Sequence, residues 1–455
     1  MLVGPPLKHS PPDPAPAKPP LSLGVIFLTL YIDLVGFSII FPLFPSMLEH
    51  YLGREGNSGL LGAVLAGIEQ LSAWIGGGER YTAVLFGGFL GSLYSLLQFL
   101  CAPLWGGLSD RVGRRPILLM TCAGTVLSYL LWVFSGSFLL LVIARLFGGA
   151  MSGNLSVATA AVADVTSRET RARGMGMVGA AFGLGFVTGP AIGGIFAHVS
   201  LLDRHPDWAA FGINPFSVPA LFAFGLALLN VLWIATRFRE TLPPEARAKA
   251  APLRERSPWR TLHTRINTTV NRTIFVYFVY IFAFSGMEFS LAFLAADRFG
   301  FNTGQITMLM VYVGAVLILT QGGIVRRIVP RFGERRVALA GLALVMFGFI
   351  NLGSASNVAW LYAGLGMMAL GSGCATPALT AMVSLLTPTE KQGQALGVFR
   401  AFGALGRALG PICAALSYWV FGSHVSYTVG GLLLIIPLAA GWRLPRTHTA
   451  PHPHG

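Results

Sequence analysis

Charged side chains are scarce in this sequence. Asp, Glu, Lys and Arg make up 11% of its 455 residues, against roughly a quarter in a soluble domain, and the mean hydropathy is +0.66. Long stretches contain none of the four residue types, the longest being 337–389. This composition excludes an ordinary soluble protein and indicates a chain whose apolar segments lie in a lipid bilayer.

The sequence also lacks the signatures of several other protein classes. Its four cysteines all lie in apolar stretches, so neither a disulfide framework nor a metal site is predicted. No phosphate-binding GxxxxGK[ST] loop occurs, which argues against ATP as the energy source. No nucleophile with a matching base is recognisable, and we interpret the His-containing stretch 448–454 as part of a tail. We therefore expect neither an enzyme nor a cofactor.

The apolar stretches are long enough for twelve membrane crossings. A helix needs about 20 apolar residues to cross a bilayer, so the longest stretches must hold two crossings each. Nothing alternates as a membrane β-strand would, which leaves the α-helix as the spanning structure. The predicted fold is an all-α membrane protein with twelve transmembrane helices. We number these spans 1 to 12: 22–47, 81–108, 117–136, 138–163, 173–198, 214–236, 273–296, 303–328, 337–354, 358–386, 393–421 and 425–443.

The positive charges indicate how the spans are oriented. With the amino terminus in the cytoplasm, only four of the 32 Lys and Arg fall outside and three lie deep within spans, so the others lie in cytoplasmic segments or at the cytoplasmic ends of spans. This asymmetry follows the positive-inside rule. We predict a multi-pass protein of the cytoplasmic (inner) membrane with both termini in the cytoplasm. The net charge of +14 therefore reports orientation, and no nucleic-acid partner is predicted.

A basic, proline-containing stretch divides the spans into two sets of six. The predicted parts are a disordered tail 1–20, a first bundle 21–238, a cytoplasmic linker 239–271, a second bundle 272–444 and a tail 445–455. The bundles form a parallel repeat, because each has an even number of spans. The following residues match at an offset of 221: Gly185, Gly189 and Pro190 with Gly406, Gly410 and Pro411. Transporters built from such repeats bind substrate between the halves near the bilayer midplane.

Several stretches resemble one known family. GGLSDRVGRRPILL at 106–119 is similar to the loop between the second and third helices of the major facilitator superfamily. GAAFGLGFVTGPAIGG at 179–194 resembles the antiporter motif of its twelve-helix drug:proton exporters. The stretch 32–45 is similar to the first helix of twelve-helix exporters, and 141–153 supplies Arg145 at the fourth-helix position that family members use. The stretches 286–299 and 399–411 look most like the tetracycline-resistance-protein-like members of that branch. The resemblance implies the major facilitator fold and proton-coupled transport.

The resemblance also implies a cytoplasmic gate at the loop after span 2. Its residues are Asp110, Arg111, Gly113, Arg114 and Arg115, with Asp164 near the end of span 4. By resemblance, Asp110 would fasten this loop to span 11 in one arrangement of the halves and release it in the other. In the second half, Pro330 takes the place of this aspartate, so we assign the gate to the first half. The alternative is that the arginines only anchor the topology.

Three charged residues inside spans are candidates for proton coupling: Asp33, Glu288 and Arg145. Charges near the bilayer centre cost several kcal/mol unless they are paired or hydrated, which makes each a functional candidate. A carboxyl group that alternates between an apolar site and a nearby cation can take up and release a proton. Asp33 is the preferred coupling acid, Arg145 is expected to modulate it, and Glu288 could serve the substrate instead. A fixed ion pair between helices is the alternative.

Two arginines in span 11 suggest the charge of the substrate. Arg400 and Arg407 lie seven residues apart, and seven helical steps return to within about 20° of the same face. Three arginines against two acids favour an anionic or zwitterionic substrate. Permanent pairing of Arg407 with Glu288, and a cationic substrate, remain open. Tyr94 and Gln98 in span 2 are candidate cavity-lining groups, or they form ordinary helix contacts.

Glycines and prolines in spans 5 and 11 are predicted to shape the helices rather than to bind ligands. Proline removes a backbone donor and kinks a helix, and glycine lets neighbouring helices approach. The predicted bends are at Gly185, Gly189, Pro190, Gly410 and Pro411.

The function predicted from these observations is secondary active transport. Two bundles would alternate access to a midplane cavity and exchange protons for amphipathic organic molecules, with a preference for anions or zwitterions. The predicted partners are protons, a small organic substrate and the lipid bilayer, and the chain is expected to act as a monomer. The alternatives are a proton-coupled symporter that imports an organic anion and a non-transporting membrane receptor or scaffold.

Overall fold

The computed structural model describes residues 23–56, 58–75, 82–166, 171–248, 266–387 and 392–445. The predicted tail 1–20, most of the tail 445–455 and the middle of the linker lie outside the described residues.

The described residues fold into helices. In the first half these are α1 Leu23–Ser38, α2 Phe44–Glu55, α3 Gly59–Ile75, α4 Thr82–Val112, α5 Arg114–Val133, α6 Phe138–Met151, α7 Asn154–Val165, α8 Arg171–Phe196 and α9 Ser217–Arg237, followed by α10 Pro244–Ala248. In the second half they are α11 Thr268–Phe299, α12 Thr303–Leu319, α13 Val325–Phe332, α14 Glu334–Ser354, α15 Val358–Leu385, α16 Gln392–Leu433 and α17 Ile435–Trp442. A 3₁₀ turn, Phe41–Leu43, joins α1 to α2, and a π-helical turn, Thr320–Ile324, joins α12 to α13.

Twelve membrane crossings account for most of these helices, with α3 and the short α10 outside them. Eleven stretches of the described chain are long and apolar enough to cross a membrane, and the last of them, Ala395–Trp442, has 48 residues. A helix of that length measures about 72 Å, more than twice the roughly 30 Å hydrocarbon core. Gly422 interrupts it with φ 76° and ψ 173°. This stretch therefore supplies two crossings, and the predicted all-α fold with twelve transmembrane helices is confirmed.

Several boundaries differ from the prediction. Span 1 continues through α2 to Glu55, and span 8 continues through α13 to Phe332. Helix α3 is not among the predicted spans, because charged residues flank it and interrupt the apolar pattern. With 17 residues it is shorter than a typical crossing.

Span 4 is broken, whereas the sequence predicts one continuous helix. Helix α6 ends at Met151 and α7 begins at Asn154. The indole Nε1 of Trp105 donates to the Ala150 carbonyl at 2.6 Å, and it thereby satisfies an acceptor near the break. The same indole occupies the space that a Cβ on Gly153 would need. Because both pieces are apolar, hydropathy alone does not reveal the interruption.

The two halves share a backbone feature at their matching loops. Gly113 has φ 121° and ψ 156°, and Gly333 has φ 78° and ψ 154°. Both conformations favour glycine, and each precedes the third crossing of its half. We call the end of the bundle that holds Gly113 and Gly333 the motif end. The opposite end, which holds Gly212 and Gly300, is the far end.

The halves meet closely towards the far end. A Cβ on Gly88 of α4 would lie 2.7 Å from the Cβ of Ala415 and 2.9 Å from the Pro411 carbonyl oxygen. The hydroxyl groups of Ser46 and Thr303 are 3.2 Å apart. The far end is therefore closed in this conformation.

Candidate functional site

Asp33 of α1 is held by Asn154, a residue that the sequence did not single out. The side-chain amide of Asn154 donates to Asp33 Oδ1 at 2.5 Å, and Asn154 is only 2% exposed. The amide oxygen of Asn154 accepts from the Leu155 N–H at 2.8 Å, which orients its NH₂ group towards the carboxylate. The break between α6 and α7 puts Asn154 at the start of a half-helix. The Ser152-Gly153-Asn154 sequence inside an apolar span is the signal that could have indicated it.

Arg145 of α6 is buried, at 6% exposure. Its guanidinium lies against aromatic rings and forms no ion pair with an acid in the described chain. Its guanidinium carbon lies 4.6 Å from the ring centroid of Tyr94 and 5.9 Å from that of Phe37. Its Nε and Nη2 atoms have no hydrogen-bond partner in the described chain. Within the same residues, no ion pair within 4 Å joins Arg145 to Asp33. The alternative of a fixed ion pair between these two residues is therefore not seen in this conformation, and the modulation of Asp33 by Arg145 stays a prediction.

The second half contributes Glu288 and the two arginines of α16. Glu288 of α11 interacts electrostatically with Arg407, although no described ion pair within 4 Å links them. The guanidinium carbon of Arg400 lies 6.0 Å from the ring centroid of Phe182, across the interface between the halves. The like charges of Arg400 and Arg407 act on each other. These residues therefore form a mainly positive surface that faces the first half.

An aromatic cluster lies between Arg145 and Glu288. Its members are Phe37, Phe41, Phe44, Tyr94, Phe186 and Phe289. Neighbouring ring centroids are 4.8 Å apart for Phe37 and Tyr94, and 5.2 Å apart for Phe41 and Phe289. Three of these rings and Glu288 line a small cavity. This cavity has room for about one water molecule. The cluster therefore connects the two halves, since Phe289 of α11 packs against Phe41 and Phe44 of the first half.

At the motif end, the loop residues form one ion-pair network. The Arg114 guanidinium pairs with Asp110 through Nη1, and its Nε donates to Asp164 at 2.9 Å. The structure thus brings Asp110, Arg114 and Asp164 together. The predicted contact of Asp110 with span 11 stays a prediction, since its described ion partner is Arg114. Arg111 is exposed.

Glu240, from the start of the linker, completes this network and was not predicted. Its carboxylate accepts from the backbone N–H groups of Arg114 at 2.8 Å and Arg115 at 3.2 Å, the first two residues of α5. A carboxylate at a helix N-terminus satisfies free N–H groups and favours the helix dipole. A Cβ on Gly113 would overlap with this carboxylate, so glycine is required there for space as well as for its φ.

The remaining predicted residues have mainly packing roles. A Cβ on Gly185 would lie 2.6 Å from Leu34 Cβ, and one on Gly189 would overlap with Ser38, so both let α8 approach α1. Gly406 and Gly410 similarly face α11. Helices α8 and α16 continue through Pro190 and Pro411, and the predicted bends there stay predictions. Gln98 is half-buried and makes no hydrogen bond within the described chain.

The described residues contain no group of three or more His, Cys, Asp or Glu that could hold a metal ion.

Comparison with known proteins gives a consistent family match. The model of the Major Facilitator Superfamily matches residues 26–332 and 323–455. The chain is 36% identical to the mouse major facilitator superfamily domain-containing protein 10, over 95% of this chain and 94% of that protein. It is 28% identical to the class C tetracycline resistance protein of Escherichia coli, over 92% and 96%.

Two solved structures show the same fold. The crystal structure of the human organic anion transporter MFSD10 (TETRAN) is similar with a TM-score of 0.77 and 33% identity, over 92% of this chain and 98% of that one. The D-xylose–proton symporter, at 16% identity, matches with a TM-score of 0.71 over 93% and 97%. This second likeness concerns the fold alone.

Proposed function

This chain belongs to the major facilitator superfamily of membrane transporters, and we propose that it is a proton-coupled antiporter that exports amphipathic organic anions or zwitterions. Two bundles would alternate access to the space between Arg145 and Glu288. Protons and the organic molecule would cross in opposite directions, and a single chain would suffice. The proposal names no cofactor, because the proton gradient supplies the energy.

The observation that carries the substrate class is the charge on the facing surfaces of the two halves. Three arginines, Arg145, Arg400 and Arg407, stand against two acids. One of those acids, Asp33, already accepts from Asn154. The excess of guanidinium groups favours a ligand with a carboxylate or phosphate, which accepts forked hydrogen bonds from arginine. The description of human MFSD10 as an organic anion transporter agrees with this reading.

Asp33 is our choice for the coupling acid. Its carboxylate is half-buried and depends on a hydrogen bond that crosses from α1 to α7. A movement that separates these helices would remove the bond and change the affinity of the carboxyl group for a proton. Glu288 makes no hydrogen bond within the described chain, and its charge interaction with Arg407 acts at more than the 4 Å of an ion pair. We therefore assign Glu288 to the substrate, with Arg407 and Arg400 beside it.

We also propose that the motif end lies in the cytoplasm. The loops at this end hold Arg111, Arg114, Arg115, Arg331 and Arg335. This distribution agrees with the positive-inside rule, and both termini of the proposed inner-membrane protein would then lie in the cytoplasm. The closed far end would then face outwards, so the conformation described above would have its outer side shut.

Uptake into proteoliposomes with an imposed pH gradient tests the proposal. With an acidic interior, an antiporter accumulates radiolabelled 2-naphthoate in the vesicles, and a symporter expels it. The direction in which 2-naphthoate moves depends on the direction of the pH gradient and not on the orientation of the protein in the vesicle membrane. A protonophore should abolish the accumulation. Expulsion, or transport confined to a cation such as tetraphenylphosphonium, would refute the antiport of organic anions.

The network at the motif end gives a separate prediction. Changing Asp110 to Asn removes one carboxylate from the buried guanidinium of Arg114, and hydrogen bonds to charged groups contribute about 1.5–3 kcal/mol. If the pair stabilises one conformation of the cycle, the initial rate of 2-naphthoate uptake should fall by about tenfold or more, while the protein still folds. Size-exclusion chromatography checks the folding.

Asp207→Asn is the matched control, since this acid lies at the far end, in a short 3₁₀ helix between α8 and α9. Equal uptake by Asp110→Asn and the wild type would leave the arginines as topology anchors only.

A further inference from the structure

Arg145 is a buried cation without a counter-ion in the described part of the chain. The cation–π contacts described for its guanidinium are with Tyr94 and Phe37, and two of its three nitrogens, Nε and Nη2, have no acceptor within the described chain. The acid that the sequence placed beside it, Asp33, is engaged by Asn154 instead. Burying a charge without a partner is costly, and the cost of an unpaired ion is larger than that of a paired one.

Two other buried or half-buried arginines of the same chain, unlike Arg145, have hydrogen-bond acceptors or counter-ions. Arg114 is equally buried, at 6% exposure, and it contacts Asp110, Asp164 and the Ser109 hydroxyl. Arg298 donates to the carbonyl groups of Leu352, Gly353 and Ala355 at 2.8–3.2 Å. These arginines hold the structure together through acceptors. Arg145 does not, so its charge calls for an acceptor that the described chain does not supply.

The missing acceptor fits an anionic ligand. The Nε and Nη2 atoms lie on one edge of the guanidinium plane, and this edge can donate two parallel hydrogen bonds to a carboxylate or phosphate. The rings of Tyr94 and Phe37 lie together beside the guanidinium, and Phe41, Phe186 and Phe289 continue the aromatic surface. Such rings provide a large apolar contact area for the body of a ligand.

We propose that Arg145 is the anion-binding residue of the first half and that it takes the carboxylate of an organic acid whose aromatic or apolar body packs on the aromatic cluster. This inference rests on the proposed function and assigns Arg145 to the substrate rather than to the proton. Proton coupling is then left to Asp33 with Asn154. The cluster would open when the halves separate at the far end, which gives the ligand access to the guanidinium edge.

Thermal unfolding of the purified full chain tests this assignment without transport. The probes are 2-naphthoate and the uncharged, nearly isosteric 2-naphthamide. The wild type should be stabilised by 2-naphthoate and much less by 2-naphthamide. Arg145→Met should bind 2-naphthoate at least about tenfold more weakly, since it removes a charge-assisted pair of hydrogen bonds. Its ligand-free Tm should equal or exceed that of the wild type, because an unpaired buried charge has been removed.

Arg114→Met is the matched control. It should lower the ligand-free Tm, because it leaves Asp110 and Asp164 without their guanidinium. Arg145→Lys keeps the charge but loses the planar fork, so it should fold and bind 2-naphthoate with intermediate affinity. A ligand-free Tm for Arg145→Met as low as that of Arg114→Met would make Arg145 a structural residue. Equal 2-naphthoate binding by the wild type and Arg145→Met, or none by the wild type, would also overturn the proposal.

The outcomes separate this site from the proposed function. If 2-naphthoate binds in an Arg145-dependent way but no pH gradient drives its uptake, the site stands and the antiport mechanism fails. If pH-driven uptake of 2-naphthoate survives Arg145→Met with unchanged affinity, the antiport mechanism stands and the site is wrong.

Discussion

Asp33→Asn is expected to abolish the pH-driven accumulation of substrate. One proton exchanged per cycle across a gradient of one pH unit supplies about 1.4 kcal/mol, which allows at most about tenfold accumulation. The asparagine cannot carry the proton, so the accumulation ratio should fall to about one. Asparagine keeps the size of the side chain and an oxygen that can still accept from Asn154, so the fold should survive. The steady-state ratio of 2-naphthoate inside and outside proteoliposomes measures the effect.

Exchange without a gradient separates a coupling defect from a broken site. Asp33→Asn should still exchange labelled for unlabelled 2-naphthoate when the pH is equal on both sides. Asp297→Asn serves as the control, because this acid is exposed near the far-end terminus of α11. If Glu288→Gln abolishes accumulation and Asp33→Asn does not, the coupling acid is Glu288. Unchanged accumulation in both single variants and in the double variant would refute coupling through these acids.

Gly88→Val is expected to keep the far end from closing. The added Cβ would meet Ala415 and the Pro411 carbonyl at 2.7 and 2.9 Å, distances that require one helix to move. Overpacking of this kind costs about 1–3 kcal/mol, which lowers the population of the closed conformation by roughly 5- to 150-fold. Because each cycle must pass through that conformation, 2-naphthoate uptake should fall by a similar factor.

Spin labels at positions 49 and 305 can report this change directly. Glu49 and Gln305 are exposed and lie near the Ser46–Thr303 contact. In a background without the native cysteines, the distance between the labels should be longer in Gly88→Val than in the parent. Gly225→Val is the matched control, because nothing lies within 4 Å of a Cβ at that glycine of α9. An unchanged distance together with normal uptake would show that the far end closes by another route.

The loop at the motif end shows how far local sequence information reaches. Gly113 and the arginines around it are recognisable, because the backbone conformation and the charges of a short loop are local properties. Glu240 was missed, since it lies 126 residues from Arg114 and its role depends on where the linker begins to pack. A carboxylate that caps a helix from a distant segment leaves no local pattern.

The charges within the membrane spans show what local sequence information does not reveal. Their scarcity is enough to make Asp33, Arg145 and Glu288 candidates, because a charge in an apolar span is costly wherever it faces. Their partners cannot be assigned in this way. Asn154 lies 121 residues from Asp33, and only the break between α6 and α7 turns it towards the carboxylate. The same arrangement leaves Arg145 against Tyr94 and Phe37 instead of Asp33.

The sequence alone determined the twelve helices, the parallel repeat and the family, since these depend on hydrophobicity over windows of about 20 residues and on short motifs. Only the tertiary structure decided which buried charges are paired and which end of the bundle is closed. Those features depend on how helices cross and approach one another. Contacts such as Gly88 with Ala415 join residues that no local sequence pattern connects.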